Sequence, residues 1–211
     1  MTVEWPAPIE VVQRLIEVSE ERGEALGDSI VFVGGSALAA HGLRTGSNDV
    51  DVYTPSVGDA SIAQVETEFR ARFGRQFRLD VTTVANIWGI IMIPDLADAP
   101  LVTMLEAPSG RPHFIRALRL EDVYILKAAS GRERDPDDLP LVAPKTTWEA
   151  IVKRFDQLLP GVANRGAIPA IADALVTYLA RDYRVAAERV IAALAVGDQL
   201  KQDLREAHRE P

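Results

Sequence analysis

The stretch VFVGGSALAAHGLRTGSNDVDVY, residues 31–53, decides how the chain is read. An apolar run ends in paired glycines, Gly34 and Gly35, an alanine-rich segment follows, and two aspartates, Asp49 and Asp51, stand one residue apart before the next apolar position. Together with Ser29 and Ile30 the apolar run predicts a buried strand. Ser36 to His41 predicts a short helix with Gly42 at its C-terminal stop, and RTGSN predicts a loop. In DVDVY polar and apolar residues alternate. On a strand, Asp49 and Asp51 therefore share one face while Val50 and Val52 take the other.

Working outward, Pro6 and Pro8 precede a helical pattern through Ile9, Val12, Leu15, Ile16 and Ser19, ending near Gly23 or Gly27. Ile62, Val65, Phe69 and Phe73 recur at helical spacing up to Gly74. FRLDVTTV, residues 77–84, alternates again: Phe77, Leu79 and Val81 face a core, and Arg78, Asp80 and Thr82 take the opposite face. IWGIIMI (87–93) and LVTML (101–105) are strand candidates. LEDVYILKAAS (120–130) predicts a helix ending at Gly131, and RDPDDLPLV (134–142) predicts another, with Asp135 as N-cap and Pro136 at its first position. Beyond Pro144 the pattern is helical: Thr147–Leu159, Pro169–Arg181, and a run from Arg184 to about Ala207. A composition shift between Pro140 and Thr146 predicts an α+β domain over 1–143 and a helical C-terminal region over 144–211.

Composition narrows the chemistry. With 47% hydrophobic and 26% charged residues among 211, the chain falls in the ordinary globular range. No apolar run approaches the roughly 18 residues of a membrane span. The start, MTVEWPAPIE, has neither the basic opening nor the apolar core of a signal peptide, so a cytoplasmic protein is expected. Zero cysteines exclude disulfides and thiolate metal sites, and three histidines leave carboxylates as the main donors. Any metal is then a hard cation. The net charge of -8 argues against nonspecific coating of nucleic acid.

Moving a nucleotide requires divalent cations bridging the attacking oxygen and a triphosphate, together with donors for the phosphates. Carboxylates at i and i+2 of a strand project side by side, and a third on a neighbouring strand completes the shell. A glycine pair at a strand-to-helix turn lets phosphates approach backbone N–H groups. Asp49, Asp51 and Asp80 supply the acids, and Gly34, Gly35 and Ser36 supply the turn.

At this point the residues resemble the nucleotidyltransferase superfamily of DNA polymerase β-like fold. Within it they are similar to minimal nucleotidyltransferases and to toxins of the abortive-infection, type IV toxin–antitoxin group. GGSALAAHGLRTGSNDVDV and EDVYILKAASGRERDPDDL carry the likeness, which spans roughly Ile30 to Val142. The loop between Arg44 and Asp49 is one residue longer than the usual form, and Asn48 stands where a charged residue is more common. The resemblance implies a small mixed β-sheet flanked by helices. It implies Mg²⁺ or Mn²⁺ on Asp49, Asp51 and Asp80. ATP or another NTP would lie against Gly34, Gly35, Ser36, Arg44 and Lys127, with Asp138 as an accessory acid. The reaction implied is transfer of a nucleoside monophosphate to a hydroxyl of an RNA, a protein or a small molecule.

Each residue also has a plainer reading. Paired glycines end strands, and alternating aspartates decorate solvated strand faces. Two such charges this close repel unless a cation lies between them. Lys127 on an apolar helix snorkels to solvent, Asp138 complements a helix dipole, and Asp135 caps. His41 packs at a helix end with no role assigned. The stripe Ile168, Ile171, Leu175, Val176 and Leu179 is core, or an interface for a second copy or an antitoxin partner. The alternative to an enzyme is a catalytically silent binding or regulatory protein of the same fold.

Overall fold

The computed structural model describes residues 2–83, 91, 93–162 and 164–209. The chain divides into two compact units, Met1–Ile87 with Asp95–Arg119, and Trp88–Pro94 with Leu120–Pro211. The division therefore falls at Arg119/Leu120, ahead of the composition shift at 143/144, and places Leu120–Val142 with the C-terminal helices.

The first unit runs β1 (Val3–Glu4), α1 (Ala7–Glu21), β2 (Ser29–Phe32), α2 (Gly34–Ala40), β3 (Gly46–Ser47) and β4 (Asp49–Tyr53). It continues through α3 (Asp59–Phe73), β5 (Arg78–Thr82), β6 (Leu101–Glu106) and β7 (Pro112–Ala117). Among the described residues, β5-β4-β2-β7-β6 form a mixed five-stranded sheet, and β1 pairs with β3 in a separate antiparallel ribbon. In the larger sheet β2 is antiparallel to β4 and parallel to β7, β4 is parallel to β5, and β6 is antiparallel to β7. The architecture is α+β.

Strand β2 is central because Ile30, Val31 and Phe32 are apolar on both faces, and all three are fully buried. One face of the sheet carries Ile30, Phe32, Val50, Val52, Leu79, Ile115 and Ala117. These pack with Val12, Leu15 and Ile16 of α1 and Val65 of α3 into one core. Each such side chain contributes about 1.5–3 kcal/mol by leaving water. Phe69, Phe73 and Phe77 stack around the end of α3, with ring centroids 5.5–6.1 Å apart. Gly74 there has φ +95°, which stops the helix and frees the chain to enter β5. The polar positions of β4 and β5 consequently occupy the opposite face.

The second unit holds α4 (Leu120–Ala129), α5 (Leu139–Val142), α6 (Trp148–Leu158), α7 (Ile168–Tyr183), α8 (Ala187–Ala193) and α9 (Asp198–Ala207). Helix α4 packs against α6 and α7, and α8 against α6, α7 and α9. Tyr124, Ile125, Ile151, Phe155, Leu175, Leu179 and Ile191 are buried among them. Thr147 caps α6, its Oγ1 accepting from the Ala150 N–H at 3.2 Å. Arg154 donates to the buried Asp122 carboxylate through Nε at 2.5 Å and Nη2 at 3.1 Å, a two-point pairing that satisfies both charges.

Two expectations change, and a third falls on residues that are not described. The helix expected from Arg184 to Ala207 is two, α8 and α9, separated at residues 194–197. RDPDD forms a single 3-10 turn over Asp135–Asp137 ahead of α5, with Arg134 at the N-cap position, so Asp135 does not cap. The IWGIIMI candidate lies outside the described residues apart from Ile91 and Ile93, of which Ile91 bridges to Val162. Among the described residues, no helix is long and apolar enough to cross a membrane.

Candidate active site

The acidic face is built by strand register. Val50 and Val52 are fully buried, so β4 can only turn Asp49 and Asp51 to the other side, where both are half-buried. Parallel pairing sets Asp51 opposite Asp80 and Asp49 opposite Arg78. Residues paired in this way project on the same face. Three carboxylates and one guanidinium thus come from two adjacent strands, with Asp80 and Arg78 exposed.

Helix α2 meets this face at Asp51. Its N-cap, Val33, has no side-chain acceptor for the first-turn N–H groups. The Asp51 carboxylate supplies one instead: Gly35 N–H donates to Asp51 Oδ2 at 3.0 Å. Gly34 has φ +51°, and a Cβ there would stand 2.8 Å from Asp51 Oδ2. It must be glycine both for its backbone and for the room it leaves. Ser36 is fully buried; its Oγ accepts from Asp51 N–H at 2.9 Å and reaches the Asp49 carbonyl at 3.5 Å. One hydroxyl therefore spans the backbone of the Asp-Val-Asp segment. Gly35 and Ser36, expected on substrate phosphates, are turned toward Asp51.

Electrostatics follow from this crowding. Burial, then the Asp80 and Asp49 charges, push the Asp51 carboxyl up to about 6, against the opposing pull of the Gly35 and Ser36 backbone hydrogen bonds. Asp49 is also raised, first by burial and then by Asp80, with Arg78 acting in the other direction and Glu66 adding to the rise. Glu66 had not been singled out from sequence. It holds β5 by accepting from Leu79 N–H at 3.2 Å and pairs with Arg78 at 3.5 Å. Its spacing of four residues from Arg70, with which it forms an ion pair on α3, is the trace it leaves in the sequence.

A divalent cation suits this face in donor type and charge. The donors are carboxylate oxygens, and the half-buried Asp51 already resists ionising beside its neighbours. Among the described residues, no three acidic or histidine side chains already converge on a common ligating point. The match is therefore one of chemistry and charge.

The remaining predicted residues belong to other elements. Arg44 is on the exposed loop before β3. Lys127 and Asp138 belong to the second unit, where both are buried. Lys127 Nζ pairs with Asp138 at 2.7 Å and Asp135 at 3.0 Å, so it does not snorkel to solvent. Burial, the largest single influence, raises the Asp135 carboxyl, but the Ser130 hydrogen bond and then the Lys127 hydrogen bond and charge bring it below its usual value. His41 rests its Nε2 2.8 Å from the Leu118 carbonyl, as a packing histidine does. Compared with models of protein families, with curated proteins and with solved structures, the chain matches none.

Proposed function

We propose that the protein has the nucleotidyltransferase fold and is a divalent-metal-dependent nucleotidyltransferase. It moves a nucleoside monophosphate from an NTP to a hydroxyl of an RNA, a protein or a small molecule, as one member of a toxin–antitoxin pair. One observation carries the reading: Asp49, Asp51 and Asp80 share a sheet face, with Asp51 and Asp80 in direct register and Asp51 tied to the Gly34–Ser36 turn. A solvated strand face needs no such tie.

In this reading Asp49, Asp51 and Asp80 would hold Mg²⁺ or Mn²⁺, which would supply neutralising charge for the triphosphate. The protein's own part is positional and acid–base. Gly35 N–H orients the Asp51 carboxylate while Ser36 fixes its backbone, so little rearrangement is left when substrate arrives. Asp80, the exposed acid, takes the proton from the acceptor hydroxyl. The acceptor oxygen bonds to the α-phosphorus, the bond from that phosphorus to the bridging oxygen breaks, and pyrophosphate leaves. Lys127 is given no step, because Asp135 and Asp138 balance its charge.

The Gly35–Asp51 hydrogen bond also favours a second reading, a silent protein in which Asp51 simply caps α2. Incubation with each α-labelled NTP, Mg²⁺ or Mn²⁺ and cell extract separates the two. The transferase labels a macromolecule or small acceptor and releases pyrophosphate, and Asp49→Asn and Asp51→Asn abolish the label. No label with any NTP, and no nucleotide or metal binding, leaves the silent protein.

A further inference from the structure

We propose that the protein forms a two-fold dimer in which the β6 edge of its five-stranded sheet pairs, antiparallel, with the β6 edge of a second copy. The inference does not depend on the transferase reading, and three observations lead to it. First, exposed apolar surface is gathered at this edge. Four large apolar side chains are exposed among the described residues, and three of them, Leu101, Met104 and Phe114, lie on β6 and β7. Met104 pairs directly with Phe114, so both project from one face, opposite the face on which Ile115 joins the core. Leu101 stands opposite Arg116 on the same face as Phe114.

Second, the strand is weakly protected against pairing. Among the described residues β6 ends the sheet order. Edge strands that stay single commonly carry a lysine, an inward charge or a proline. From Leu101 to Leu105, β6 has none of these, and its register shift between Leu101 and Thr103 leaves Thr103–Glu106 regularly paired with β7. Ala107 N–H donates to the Arg111 carbonyl at 2.9 Å. The alternation of an antiparallel ladder then turns the backbone of Leu105 and Thr103 toward β7 and that of Glu106 and Met104 outward. Pro112, which has no N–H, accordingly stands opposite Glu106, whose carbonyl accepts instead from Gln13 Nε2 at 3.1 Å. Met104 is left at the centre of the edge.

Third, the edge is complementary to itself. Antiparallel pairing centred on Met104 sets its outward N–H and C=O against those of the same residue in the second copy. The Phe114–Met104 stripes of the two copies then run together across the joined sheet. On this face the charged residues of β6 and β7 are Glu106 at one end and Arg116 at the other, where Arg116 lies over the Phe114 ring at 5.8 Å. Antiparallel pairing brings the acid of each copy beside the base of the other. Their Cα atoms lie about 10 Å apart across two strand spacings, within reach of a glutamate and an arginine. Parallel pairing would oppose like charges. A strand meeting its own copy about a two-fold axis closes at two chains. Six residues a side make a small interface, so the dimer has about micromolar affinity. Both acidic faces look to the same side of the joined sheet.

Sedimentation equilibrium in about 150 mM salt, which screens the charge of -8 on each chain, tests this directly. Between about 1 and about 200 µM the wild type should pass from the 23.0 kDa of one chain to twice that mass. Met104→Lys should stay monomeric over the same range. Met104 is exposed, so the melting curve of Met104→Lys at low concentration should overlay that of the wild type. The absence of cysteine allows an independent readout. An antiparallel hydrogen-bonded pair holds its Cα atoms about 5.5 Å apart, inside the disulfide range. Under mild oxidation Met104→Cys should therefore cross-link into a dimer at least about tenfold faster than Lys153→Cys, at an exposed position on α6. A wild type that remains at 23.0 kDa throughout overturns the proposal. So does a dimer that survives Met104→Lys, or cross-linking of Met104→Cys no faster than that of Lys153→Cys. Each of these failures leaves the transferase reading standing.

Discussion

Replacing Asp51 by asparagine should make the metal-free protein more stable at neutral pH while abolishing the proposed nucleotide transfer. Asparagine resembles the neutral carboxyl in shape, and its Oδ1 can still accept from Gly35 N–H. What it lacks is the charge. A carboxyl raised from 3.8 to about 6 is harder to ionise in the folded chain than in the unfolded one by about 3 kcal/mol. Solvent reaching this half-buried group trims the figure to about 2 kcal/mol. The sign follows from the direction of the shift. Because the folded value is the higher, the contribution of Asp51 to stability is full below pH 3.8 and is lost as pH rises through about 6. Urea denaturation of both proteins between pH 3.5 and 8 should show Asp51→Asn ahead by about 2 kcal/mol at pH 7, the gap closing toward pH 4. Adding Mn²⁺ at pH 7 should stabilise the wild type and not the variant, by about 2.7 kcal/mol at a hundredfold excess over Kd. An Asp51→Asn protein less stable than wild type at pH 7, or a gap that does not change with pH, would refute the argument. The carboxylate would then be serving mainly as a cap.

Three further perturbations probe the same framework. Ser36→Ala leaves the Asp51 N–H without its partner in a buried setting, and equilibrium unfolding should register a loss of about 1–3 kcal/mol. Gly34→Ala combines a left-handed backbone with a Cβ 2.8 Å from Asp51 Oδ2. A cost of about 1–3 kcal/mol and weakened Mn²⁺ binding are expected, read by thermal melts with and without the ion. Lys127→Met removes the ammonium that pairs with the buried Asp138 and should cost about 3–5 kcal/mol, whereas Lys127→Met with Asp138→Leu should recover much of the loss in the same denaturation assay.

The acidic strand was legible because its valines alternate with its aspartates and a core is available for only one face. Strand β7 was not foreseen, although His113, Ile115 and Ala117 are buried in alternation. The exposed Phe114 and the opening proline hid that period. The break between α8 and α9 was hidden for a similar reason: Leu194, Ala195 and Val196 extend the apolar run, and only Gly197 marks the interruption. The composition shift near Pro140 reflected the start of a long helical tract, while the compact units divide where β7 ends, a property of contacts and not of composition. At the site, sequence spacing gathered the three aspartates correctly onto one face. It had no means of showing that Ser36 points inward to the β4 backbone, since a serine at a helix start looks the same whether its hydroxyl faces a ligand or a strand.

The placement of Asp51 also bears on how such a protein changes over generations. If ionising this carboxyl weakens the empty fold, most substitutions that end the chemistry by removing its charge are rewarded with stability. A lineage released from the need for the reaction would lose this acid quickly, since drift and folding would push the same way. On the proposed reading, keeping Asp49, Asp51 and Asp80 in register serves the reaction and not the empty fold.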